Sequence, residues 1–158
     1  MLAESKRPEG AAVLANMKKA ARLAGMRPMP QWRSRPTVDL RRKRILLTGA
    51  SSGIGAIAAE KLAAEGATVI AVARREHLLA EVVARIRAAG GDAVAVPANL
   101  ADLDQVDELV ANVGRVDILI NNAARSIRRP LIESLDRWHD IERVMALNYF
   151  APLRLMRG

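Results

Sequence analysis

The chain has 158 residues, about half of them apolar, and a formal net charge of +8. That length suffices for one domain with a real core. The lack of cysteine excludes a disulfide framework and a thiolate metal site, and no apolar run approaches the ~20 residues of a membrane span. The charge is unevenly distributed. Residues 1–44 carry 12 Lys and Arg against 3 Asp and Glu, whereas the remainder carries 13 against 14. The basicity therefore belongs to a leader, residues 1–43, and not to the rest of the chain.

Within the leader, residues 8–25 read as an amphipathic helix. Val13, Leu14, Met17, Ala21 and Ala24 form one side, with Lys18, Lys19 and Arg22 on the other. Residues 26–44 place Pro28, Pro30 and Pro36 among arginines, a composition suited to an extended, solvated linker. A weak contact with a membrane or another anionic surface is one use for such a leader. A solvated extension is the simpler reading and is favoured. Nucleic acid is not expected as a partner, because the folded part has no aromatic-basic patch.

From residue 44 strands and helices alternate. Strand 44–48 leads to helix 54–65, whose apolar side is assigned to Ile54, Ile57, Ala58 and Leu62. Strand 67–73 leads to helix 76–89, closed by Gly90 and Gly91. Strand 92–97 leads to a helix over about 102–112. Strand 116–121 leads through a loop to a long helix over about 135–156, patterned by Trp138, Ile141, Val144, Met145 and Leu155. Continuous apolar strands separated by helices indicate an α/β fold with a parallel sheet covered on both faces. Right-handed crossovers give a doubly wound sheet of four strands in the order 3-2-1-4. The short link between the third helix and the fourth strand, Asn112 to Val116, is expected to shorten the helix. The two histidines, His77 and His139, lie in polar helical stretches and read as surface residues.

The most informative segment is the turn after the first strand, Thr48-Gly49-Ala50-Ser51-Ser52-Gly53-Ile54-Gly55. A glycine-rich strand-to-helix turn lets backbone amides approach a pyrophosphate at a helix N-terminus. Gly49, Gly53 and Gly55 remove the side chains that would obstruct it, and Ser51 and Ser52 add hydroxyls. The spacing G-x-x-x-G-x-G, preceded by threonine, resembles the turn of the short-chain dehydrogenase/reductase family. Asn121-Asn122-Ala123-Ala124, at the end of the fourth strand, resembles that family's NNAG motif, with Ala124 in place of the usual glycine. The resemblance covers about residues 40–158.

The resemblance implies a Rossmann-type fold that binds a nicotinamide dinucleotide. Cofactor contacts are then expected from Gly49, Ser51, Ser52, Gly53, Ile54 and Gly55. Arg74 and Arg75 follow the second strand, where an arginine pairs with a 2′-phosphate, so NADP is favoured over NAD. Asn99 and Leu100 fall beside the adenine, and Asn122, Ala123 and Ala124 beside the ribose. Asn148 matches the family asparagine that anchors a proton-relay water. The family also uses a Tyr-x-x-x-Lys pair as its general acid or base. Here the only tyrosine, Tyr149, is followed four residues later by Leu153, and the last lysine is Lys61.

The expected identity is thus the NADP(H)-binding part of a cytoplasmic short-chain oxidoreductase. Such an enzyme moves hydride between NADP(H) and a small-molecule carbonyl or alcohol. The chain reads as truncated before its catalytic tyrosine and lysine, and as inactive alone. Arg125, Arg128 and Arg129 hint at an anionic substrate, and Leu135 to His139 resemble reductases of acyl or lipid-type substrates. An exposed fourth strand and a partly uncovered long helix imply self-association. The alternatives are a non-catalytic nucleotide-binding or interaction module, and a protein drawn to anionic surfaces by its leader.

Overall fold

The computed structural model describes Lys19 and residues 38–158. Of the predicted leader helix, residues 8–25, only Lys19 lies among the described residues, helical and exposed; of the Pro/Arg linker, residues 38–44 are described, where the chain turns at Arg41 and Arg42 and enters the first strand at Arg44, and the rest of both lies outside them. Residues 39–158 form one compact unit.

Four parallel strands make its sheet: β1 (Arg44–Thr48), β2 (Thr68–Ala73), β3 (Asp92–Pro97) and β4 (Ile118–Ile120), in the order β3-β2-β1-β4. This is the expected 3-2-1-4 arrangement. The helices between strands are α1 (Gly53–Ala64), α2 (Glu76–Ala88) and α3 (Leu103–Val113). A 3-10 turn, Leu131–Ser134, precedes α4 (Trp138–Met145), a π-helical turn (Ala146–Phe150) and α5 (Ala151–Arg157). Among the described residues no helix is long and apolar enough to cross a membrane.

Strand alternation builds two cores, one on each face. Leu47, Val69 and Ala71 point toward α1 and α2, where they meet Ala59, Leu79, Val82 and Ile86. Leu46, Ile70 and Val72 point the other way, toward Val106 and Leu109 of α3 and Ala151 of α5. Full burial of each large side chain stabilises the fold by roughly 2 kcal/mol relative to exposure.

Four details depart from the sequence reading. On α1 the buried face is Gly55, Ala56, Ala59 and Ala63, with the predicted Ala58 and Leu62 packed partly against the same core, while the predicted Ile54 and Ile57 are exposed. The fully buried line of the helix is made of small residues, as its close approach to the sheet requires. Helix α3 keeps its last turn. The short link is made instead by Gly114, whose φ of 68° is open to glycine, and by Arg44, which donates from Nη2 to Val113 O and from Nε to Arg115 O. Strand β4 is shorter than predicted. Asp117 falls outside it because its carboxylate accepts from Arg44 N (2.9 Å) and from Arg115 Nη2 (3.0 Å). The Arg44 amide, with Arg115 beside it, holds that carboxyl below the usual range.

The fourth departure is the long helix. It starts at Trp138, after Arg137 leaves helical geometry with φ −115° and ψ 49°. Its sequence pattern merged two faces. Asp140, Val144, Leu147, Ala151 and Leu155 turn inward to varying depth, while Trp138, Ile141, Met145, Tyr149, Leu153 and Met156 form an exposed apolar stripe.

Candidate nucleotide site

The site lies at the carboxyl ends of the strands, where the chain turns from β1 to one side and from β4 to the other. This is the topological switch point at which doubly wound sheets bind ligands. A cleft of about 740 Å³ opens there. Its walls include Gly49, Ser51, Ser52, Arg74, Arg75, Asn99, Leu100, Asn122, Ala123 and Ala124, ten of the sequence-predicted residues. Among the described residues, no aspartate or glutamate lines it, and no group of His, Cys, Asp and Glu is placed to hold a metal.

The β1 and β4 turns are locked together through Thr48, which is 1% exposed. Its Oγ1 accepts from Asn122 N (2.9 Å) and Ala123 N (3.0 Å), and donates to Ile120 O (3.3 Å). Asn122 returns the link by donating from Nδ2 to Thr48 O (3.0 Å) and Gly49 O (3.3 Å). The approach is so close that a Cβ on Gly49 would stand 2.9 Å from Ala123 Cα. One on Gly55 would stand 2.1 Å from Gly49 O. The sequence reading assigned these glycines to phosphate approach. Their more immediate duty is to let the two turns and the helix start touch.

Gly53, Ile54 and Gly55 do not line the cleft, in contrast to the six turn residues expected there. Ile54 is 81% exposed because the alanine face of α1 takes the sheet. These three residues can offer only backbone amides, which have no carbonyl partner in the first helical turn. Ser52 occupies the N-cap of α1 without capping it through its side chain. Its hydroxyl instead accepts from Arg75 Nη2 at 2.8 Å, and Ser51 Oγ lies 3.4 Å from the same nitrogen. Arg75 is thereby held over the turn, while Arg74 beside it has no partner among the described residues.

The loop after β3 is also fixed. Asn99 N donates to Gln105 Oε1 (2.9 Å), and Gln105 Nε2 donates to Asp102 Oδ2 (2.9 Å). The Gln105 hydrogen bond, aided by the Asp104 amide, keeps the Asp102 carboxyl below its usual range. Asn99 uses its side-chain oxygen on Ala101 N at 3.3 Å, a long contact that leaves the side-chain nitrogen free.

Asn148 lies outside the cleft wall, within the π-helical turn. Its side chain grips one residue twice, accepting from Arg125 N (2.9 Å) and donating to Arg125 O (2.8 Å). It thus sets the path of the loop after β4. That loop is tied again at Asp140, which accepts from Arg137 Nε (2.9 Å) and Arg129 Nη1 (3.2 Å) and lies 3.4 Å from His139 Nε2. The Arg137 hydrogen bond, with the charges around it, holds the Asp140 carboxyl low. His139 is a surface residue that also belongs to this cluster. Arg143 lines the cleft and was missed by sequence reasoning, which had no signal separating it from other helical arginines.

Fold and site together define a dinucleotide-binding α/β domain. A family model described as short chain dehydrogenase matches residues 43–158, and the chain belongs to that family. It is 58% identical over 146 residues to a fatty acyl-CoA reductase of Mycobacterium tuberculosis, covering 86% of this chain and 50% of the relative. A fatty acyl-CoA reductase of Acinetobacter baylyi is 50% identical over 122 residues, covering 75% and 41%. The chain spans about half the length of the curated relatives it matches. Among solved structures, a metagenomic short-chain oxidoreductase in complex with NADP superposes with a TM-score of 0.70 at 34% identity, covering 76% of this chain and 56% of that one. A short-chain dehydrogenase from Sphingobium yanoikuyae in complex with NADPH gives 0.67 at 34%, covering 73% and 46%.

Proposed function

We propose that the cleft binds NADP(H), and that the chain is the dinucleotide-binding part of a short-chain reductase. The observation that carries this is the wall at the β2 end. Arg74, Arg75, Ser51 and Ser52 converge there, and among the described residues no carboxylate lines the cleft to receive a ribose 2′-hydroxyl. Two arginines and two hydroxyls suit a 2′-phosphate. Complexes of related structures with NADP and NADPH support the same choice. In this reading Asn99 and Leu100 contact the adenine, and Asn122, Ala123 and Ala124 the ribose. The amides of Gly53, Ile54 and Gly55 meet the pyrophosphate.

The nicotinamide supplies the hydride of the parent reaction, between NADP(H) and a carbonyl or alcohol. Similarity to two fatty acyl-CoA reductases supports a substrate of acyl type. Asn148 keeps its second amide hydrogen free of Arg125, and this is the atom left for a relay water. The Tyr-x-x-x-Lys pair does not occur in these 158 residues, and the function proposed for them is dinucleotide binding.

Titration of the chain with NADPH, followed by fluorescence, tests the reading. Arg74→Ala is expected to weaken NADPH about tenfold or more, as for loss of a charge-assisted contact, and to leave NADH unchanged. The absence of saturable binding by the unmodified chain would sink the proposal.

A second reading, of an interaction module, is favoured by one feature. The stripe from Trp138 to Met156 exposes large apolar side chains along one helix line, Trp138 by 66% and Met156 by 64%. Self-association through it is expected to raise the apparent mass with concentration in light scattering. A constant monomer mass would exclude it.

A further inference from the structure

Arginines stand at four places around the cleft, on two different supports. Arg74 and Arg75 follow β2, next to the serines of the glycine turn. Arg125 and Arg143 come from the β4 side, Arg143 from the last turn of α4. Four residues beyond Arg143 is Leu147, which lines the same cleft. The loop after β3 adds Asn99 and Leu100 to the cleft.

Charge neutralisation does not account for Arg143. Arg129 and Arg137, from the same region, are both spent on Asp140. The Arg143 side chain has no ion pair or hydrogen bond among the described residues. The phosphate-binding groups already have their place at the β2 end. The cleft that Arg143 lines also presents Leu100, Leu147 and Asn99. That set suits a flat heterocycle: leucines for its apolar faces, an amide for its polar edge. A planar guanidinium stacks on the π-face of such a ring, as a compact ammonium does not.

We propose that Arg143 binds the adenine ring of the dinucleotide, stacking on it beside Leu147 while Asn99 meets its edge. This rests on the nucleotide reading above and adds to it a contact that is indifferent to the 2′-phosphate. Titration of the full chain with NADPH and, separately, with NADH tests it. Arg143→Ala is expected to weaken both about fivefold, by a common factor, because both carry adenine. Arg143→Lys should recover only part of the loss. Matching thermal melts by circular dichroism establish that both variants are folded. Weakening confined to NADPH would overturn the inference in favour of a phosphate contact. Unchanged affinity for both, or full recovery by lysine, would overturn it as well. If the unmodified chain binds neither dinucleotide, the nucleotide reading fails first and the adenine contact with it.

Discussion

Gly55→Ala is expected to destabilise the chain by about 3 kcal/mol and to abolish saturable NADPH binding. The added Cβ would lie 2.1 Å from Gly49 O, 2.8 Å from Gly49 C and 2.7 Å from Asn122 Nδ2. Two of those atoms are backbone, in a turn already fixed on both sides, so relief requires α1 to move away from β1. Overpacking of this kind costs about 1–3 kcal/mol even where side chains can yield. Gly53→Ala is the informative comparison. Its Cβ would meet nothing within 4 Å, and only its φ of 56° opposes a side chain, at a cost of about 1 kcal/mol. Urea unfolding measures both. Equal losses at the two positions would show that steric closure at Gly55 is not what matters.

Thr48→Val has nearly the same shape and is expected to cost about 2 kcal/mol, because it strands two part-buried amides. The amides of Asn122 and Ala123 both donate to Thr48 Oγ1, and valine offers them nothing. Thr48→Ser keeps the oxygen and loses only a methyl, worth about 1 kcal/mol. Denaturant midpoints for the two variants should therefore differ clearly. A valine variant as stable as the serine variant would mean that water replaces the lost acceptor.

The sequence carried the strands well, because β1, β2 and β3 are continuous apolar runs bounded by turns, and their order comes from chain-wide rules of handedness. It carried the site in outline, because Gly49, Ser51, Arg74 and Asn122 sit at motif positions tied to strand ends. It failed where two demands produce the same residue types. Isoleucine outranks alanine in hydrophobicity, so Ile54 and Ile57 looked like the packed face of α1, yet proximity to the sheet selects Ala56, Ala59 and Ala63. The last helix is apolar on both sides, so periodicity could not separate the inward line through Ala151 from the outward one through Trp138. The π-helical turn at Ala146–Phe150 adds a residue to one turn and shifts the phase between α4 and α5. Arg143 was invisible because nothing in its neighbours separates it from the other helical arginines.

The lock at Thr48 also bears on the order of events in folding. Its partners Asn122 and Ala123 are 74 and 75 residues further along the chain, whereas β2, α2 and β3 are built from near neighbours. Closing so large a loop is entropically unfavourable until intervening segments have condensed. The β2 side of the cleft can form from residues 44–101 alone, but the switch point takes shape only when β4 docks beside β1. A dinucleotide bound there would select molecules that have completed this last long-range closure, coupling occupancy to the final step of assembly.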